Sequence, residues 1–138
     1  GTGAPAPNFT LNLYRDQGTL ELADLRGKPV VINFWGSWCP PCRDEMPAIQ
    51  RVFEQFSNAN LVVVGVSVQD AEIDAVAFAE EVGLTYPIGF DKTGKIVVDY
   101  GVIGCPTTFF ITRDGAIFME WKGAINESRL VEFIRQIV

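Results

Sequence analysis

With 138 residues, 48% of them hydrophobic and 12% aromatic, the chain is sized for one domain, residues 1–138, built around a packed core. Its formal net charge of −6 argues against nucleic acid as a partner, because phosphate binding needs clustered Lys and Arg. The absence of any histidine removes Ser/His/Asp and Cys/His catalysis and histidine metal ligation, and no apolar run reaches the roughly 18 residues of a membrane span.

The chain opens with Gly1-Thr2-Gly3-Ala4-Pro5, which carries no targeting signal and reads as a trimmed or mature start. Phe9 to Leu13 alternates with polar residues as a half-buried strand does. Asp16-Gln17-Gly18 is a turn signal, and Leu20-Glu21-Leu22 is predicted to return as a short second strand. Arg26-Gly27-Lys28-Pro29 then punctuates the chain before the apolar run Val30 to Phe34, a buried strand. The segment Arg43 to Phe56 places Met46, Ile49, Val52, Phe53 and Phe56 at helical spacing, with Pro47 predicting a kink. Leu61 to Val68 is continuously apolar and rich in β-branched residues, the pattern of a central strand covered on both faces. A helix is predicted from Ile73 to Val82, ended by Gly83, then a short strand from Tyr86 to Phe90 and a helical turn from Ile96 to Tyr100. Thr108 to Ile111 and Ala116 to Trp121 flank the turn Thr112-Arg113-Asp114-Gly115 and form a hairpin. The last helix spans Glu127 to Ile137, with Asn126 as its N-cap. This order predicts an α/β fold: a central mixed sheet, parallel first and antiparallel later, with helices on both faces and an extra N-terminal hairpin.

The chemistry concentrates in Trp38-Cys39-Pro40-Pro41-Cys42, where a buried strand hands over to a helix. Two cysteines separated by two residues close too short a loop to restrain the unfolded chain, so they read as a reactive dithiol rather than a staple. At a helix N-terminus, unpaired N–H groups and the helix dipole favour an anion, and a cysteine pKa can fall from about 8.5 to roughly 3.5–7.5. That marks Cys39, at the cap, as the attacking thiolate with an exposed sulfur. Cys42, one turn further in and more shielded, is the resolving thiol. Pro40 and Pro41 are tolerated because first-turn N–H groups lack intrahelical partners. Asp44 and Glu45 read as a solvated face of the first turns, favourable to the dipole.

Taken together, Val30 to Arg43, Glu45-Met46-Pro47, Val62 to Ile73 and Gly104-Cys105-Pro106-Thr107-Thr108-Phe109-Phe110-Ile111 resemble the thioredoxin-fold thiol–disulfide oxidoreductases of the TlpA/ResA type. The resemblance covers nearly the whole chain. It implies a protein disulfide oxidoreductase, working as a reductant on client proteins, as in cytochrome c maturation or general extracytoplasmic thiol delivery. It also implies a membrane electron donor of the thiol–disulfide relay type and an extracytoplasmic location, with tethering by a segment outside this sequence. No cofactor is expected beyond the Cys39–Cys42 disulfide, since no Gly-rich dinucleotide fingerprint is present. By the same resemblance Pro106 is the cis-proline beside the dithiol. Trp38, Pro40, Pro41, Cys105 and Pro106 are the client-binding residues, and the Trp before the first Cys shields the site. Trp35 reads as core.

Two positions depart from the family pattern. Where thioredoxins commonly bury an Asp, this chain has Asn33, which cannot titrate; the acid expected near the resolving thiol is instead Asp70, after the next strand, with a helix N-cap or a solvated loop residue as its other readings. Cys105 stands where most members of the family it resembles carry an uncharged residue other than cysteine. It could join Cys39 and Cys42 in a metal- or Fe–S-binding module, form an alternative disulfide, or simply pack as a small apolar side chain. A redox-silent interaction domain is the remaining alternative. The Thr-x-x-Cys nucleophile pattern of peroxiredoxins does not surround Cys39.

Overall fold

The computed structural model describes residues 3–138, so Gly1 and Thr2 of the predicted trimmed start lie outside the described residues. Seven strands form one sheet: β1 (Thr10–Leu13), β2 (Thr19–Glu21), β3 (Val30–Trp35), β4 (Val62–Ser67), β5 (Ile88–Phe90), β6 (Thr107–Ile111) and β7 (Ile117–Lys122). Their spatial order is β2-β1-β5-β4-β3-β6-β7. β3 is central, parallel to β4 and antiparallel to β6, and β4 runs parallel to β5. β1 closes the other side as an antiparallel neighbour of β5 and β2. This is the thioredoxin-like mixed sheet with an added N-terminal hairpin.

Alternation along β3 explains how the sheet is covered. Successive side chains point to opposite faces. Val31 and Trp35 join one core with α1 (Pro40–Gln55), α2 (Glu72–Val82) and α4 (Glu127–Ile137). Val30, Ile32 and Phe34 join the other, beneath the short α3 (Lys95–Asp99) and the turn at Leu22. Asn33 shares the face of Val31 and Trp35, and it is fully buried.

Most predicted elements appear with shifted ends. Leu22 starts a short 3-10 turn instead of extending β2, α1 begins at Pro40 rather than Arg43, and α3 occupies Lys95–Asp99. α1 runs without interruption through Pro47. Gly83 ends α2 in the left-handed region, at φ 79°, and donates its N–H to Ala79 O. Asn126 caps α4, its side chain accepting from Arg129 N at 2.8 Å. Ile73 departs from the helical reading. α2 buries Ala75, Phe78 and Ala79, while Ile73 in its first turn is 79% exposed.

Candidate active site

The parallel strands β3 and β4 end on the same side of the sheet, and the loops leaving them meet there, as in other open α/β sheets. Gly36-Ser37-Trp38 leaves β3 and Val68-Gln69-Asp70 leaves β4. Three hydrogen bonds join the two loops. Asp70 Oδ2 accepts from Ser37 N at 2.6 Å, Asp70 Oδ1 accepts from Ser37 Oγ at 2.7 Å, and Trp38 Nε1 donates to Val68 O at 2.9 Å. Gly36 is required by the last of these, because a Cβ there would collide with the Trp38 indole.

Cys39 follows as the N-cap of α1, with extended backbone (φ −102°, ψ 105°), and its Sγ accepts from Cys42 N at 3.3 Å. An otherwise unpartnered first-turn N–H thus points at the Cys39 sulfur, the geometry that favours a thiolate there. Cys39 and Cys42 are joined as a disulfide across a Cα–Cα distance of 5.3 Å. Both residues are closely covered: Cys39 retains 3% exposure and Cys42 none, so the sulfur expected to stand in solvent is nearly as enclosed as its partner. Pro40 and Pro41 remain exposed on the turn. Arg43 packs its guanidinium 4.2 Å from the Phe78 ring and donates to Ser37 O at 3.4 Å, tying α1 to the same loop.

The Cys105–Pro106 peptide bond is cis. It brings Cys105 O to 3.7 Å from Cys39 Sγ, so the segment before β6 forms a wall of the disulfide site. An open groove of about 250 Å³ runs alongside, lined by Trp38, Val68, Val97, Val102, Ile103 and Cys105 among others. Trp38 is 52% and Ile103 89% exposed, an apolar surface beside the reacting sulfurs. The Cys105 thiol is pushed up to about 11, first by burial and then by the nearby Glu45 charge. At neutral pH it is a thiol and not a thiolate. Among the described residues no three Cys, Asp or Glu side chains converge to hold a metal ion, so the metal-module reading of Cys39, Cys42 and Cys105 finds no support.

Glu45 corrects the reading of a solvated acidic face. Asp44 is exposed, whereas Glu45 is 5% exposed and lies under the site, three residues beyond Cys42 on the same side of α1. Its Oε1 accepts from Ile125 N at 3.0 Å and its Oε2 from Asn33 Nδ2 at 2.9 Å. Burial raises its pKa to about 7, although both hydrogen bonds favour the carboxylate. The position where thioredoxins carry an Asp therefore holds Asn33, and a carboxylate from α1 reaches the same buried spot. Asp70 has both oxygens on Ser37, and the N-cap position of α2 belongs to Ala71.

The comparisons with known proteins agree with this geometry. The model of the AhpC/TSA family matches residues 2–119, ending within β7. The thiol–disulfide oxidoreductase ResA of Oceanobacillus iheyensis is 36% identical, with 98% of this chain and 72% of the relative covered. ResA of Bacillus thuringiensis subsp. konkukian is 34% identical, covering 98% and 78%. The crystal structure of a proposed thiol:disulfide interchange protein DsbE from Chlorobium tepidum superposes with a TM-score of 0.91 at 30% identity, over 99% of this chain and 97% of that one. The chain belongs to the AhpC/TSA family and, within it, to the thiol–disulfide oxidoreductases of the ResA kind.

Proposed function

We propose that this protein, as a single domain over residues 1–138, reduces disulfides in client proteins through the Cys39–Cys42 pair. One observation carries the reading: the two sulfurs bond to each other at the start of α1, directly against the cis Cys105–Pro106 peptide. In the reduced enzyme the Cys39 thiolate, favoured by the Cys42 N–H and the helix dipole, attacks one client sulfur. The Cys39–client bond forms as the client disulfide breaks, and the second client sulfur leaves as a thiolate. Cys42 then loses its proton and attacks Cys39 Sγ. The mixed disulfide breaks, Cys39–Cys42 forms, and the client departs with two thiols and two electrons.

The proton from Cys42 needs a nearby acceptor that titrates close to neutrality. Glu45 is the candidate that burial and helical position support, one turn beyond Cys42. Asp70, the acid singled out in the sequence, is better supported as the anchor of the Ser37–Trp38 loop. We read Trp38, Pro40, Pro41 and Cys105 as the client-facing rim, with Pro106 buried behind it, and the groove beside Ile103 as the place for apolar client side chains. Electrons return from a membrane-bound thiol–disulfide relay, and the protein works outside the cytoplasm, tethered to the membrane; the likeness to ResA supports these readings. No helix of the described residues is long and apolar enough to cross a membrane. The exchange is complete in sulfur chemistry, with the dithiol itself as electron carrier.

The test is insulin reduction with dithiothreitol as donor, alongside the reduction potential of Cys39–Cys42. The wild type should accelerate insulin precipitation and show a potential on the reducing side, near that of thioredoxin, about −270 mV. Cys39→Ser should be inactive. Equal activity of the wild type and Cys39→Ser would refute an exchange function, and a strongly oxidising potential would refute the reductant direction.

A further inference from the structure

Asn33 makes unequal use of its amide. Its Nδ2 donates twice, to Glu45 Oε2 at 2.9 Å and to Thr108 Oγ1 at 3.1 Å, while its Oδ1 is buried with no partner. This orientation suits a carboxylate. Glu45 then accepts from two donors, Asn33 Nδ2 and Ile125 N. A backbone N–H can only donate, so a proton arriving on Glu45 belongs on the oxygen facing Asn33. There it would meet the Nδ2 protons, donor against donor.

We infer that Asn33 is a positioning residue whose carboxamide turns over when Glu45 is protonated, presenting Nδ2 to the carboxylate and Oδ1 to the carboxyl. Oδ1 has two lone pairs. After the turn it accepts from the Glu45 O–H and from Thr108, whose hydroxyl rotates freely to donate. Either orientation makes two hydrogen bonds and leaves one amide group idle, so the site holds both charge states without moving the backbone. An Asp at this position would instead bring a second negative charge against Glu45. The inference rests on the reading of Glu45 as the acid of the exchange site.

The other groups facing Glu45 leave this role to Asn33. Cys105 precedes β6 and Tyr86 precedes β5; burial raises the pKa of both, so each is neutral where Glu45 titrates. Cys42, on the same helix, is locked in the disulfide, and no ion pair of the described residues includes Glu45. The chain has no histidine, so few groups other than Glu45 change charge near neutrality in the oxidised protein.

The test is an NMR titration of the oxidised protein from pH 5 to 9, following the Glu45 carboxyl carbon and the Asn33 side-chain NH₂. The expected result is one shared midpoint for both, with the Asn33 inflection lost in Glu45→Gln. In Asn33→Ala the Glu45 midpoint should rise by about one pH unit or less, the difference between a hydrogen bond to the carboxylate and one to the neutral carboxyl, because Asn33 serves both charge states. An Asn33 amide that stays flat while Glu45 titrates overturns the inference, and that measurement needs no variant. So does a rise of roughly two pH units or more in a folded Asn33→Ala, the mark of an amide that bonds the carboxylate alone. Failure of the underlying reading looks different: Glu45→Gln would then exchange disulfides with the wild-type pH profile, whatever Asn33 does.

Discussion

Asp70 and Ser37 lock the loop before the dithiol to the end of the neighbouring strand, one carboxylate accepting both the backbone N–H and the hydroxyl of a single serine. Replacing Asp70 with Ala removes two charge-assisted hydrogen bonds from a partly buried site. Urea unfolding should show a loss of about 1–3 kcal/mol, and insulin reduction should slow. The pH midpoint of exchange should stay where it is in the wild type. A displaced midpoint would identify Asp70 as a proton carrier after all.

Glu45 should tie stability to pH. Its folded-state pKa is raised from 4.5 to about 7, so the native state binds a proton that the unfolded chain has released between those values. The contribution is fully present below about pH 4.5 and lost as pH rises through about 7. Between pH 4.5 and 8.5 the wild type should lose on the order of 3 kcal/mol relative to Glu45→Gln, whose neutral amide does not titrate. Paired denaturant titrations at the two pH values measure the difference directly, and parallel pH dependences would contradict it.

Cys105 should react slowly. With its thiol pushed up to about 11, the thiolate fraction at pH 7.5 is about 100-fold below that of a thiol at its ordinary value of 9.0. After reduction, iodoacetamide should label Cys39 well before Cys105, as peptide mapping by mass spectrometry can show. Early labelling of Cys105 would mean that it is activated in the reduced protein.

Gly36→Ala should leave the fold intact but dislodge Trp38, since the added Cβ meets the indole that is fastened to Val68 O. Trp38 is half exposed and free to swing outward, so the stability cost should be modest, about 1–2 kcal/mol. Exchange with protein clients should fall more than reaction with a small disulfide reagent, because the groove loses a wall. Equal losses with both substrates would show that Trp38 shields the sulfurs rather than contacting clients.

Much of this was legible in the sequence because local signals and tertiary packing agree. The dithiol announces a strand-to-helix junction, the β-branched runs give β3 and β4, and Thr112 to Gly115 gives the last hairpin. Glu45 escaped because its exposed neighbour Asp44 made the pair look like a solvated turn. A signal was present nonetheless: Cys42, Glu45, Met46, Ile49 and Val52 follow one helical stripe, and an acid on an apolar stripe is a buried acid. Asn33 alternates with Val31 and Trp35, which places it on the same face. Only the three-dimensional packing of α1 over β3 shows that the two residues meet. Ile73 failed in the opposite sense, because apolar spacing does not say which side of a short helix the sheet will cover.

Cys105 packs against both hydrophobic cores, one on each face of the sheet. The two layers that the sheet otherwise keeps apart share this side chain as a common boundary. A residue larger than cysteine there must find room in both layers at once, without pushing the cis peptide away from the disulfide. Tolerance at this position is therefore limited by volume before it is limited by sulfur chemistry: Ser and Ala should be accepted, while Leu and Phe should loosen the whole redox end of the molecule.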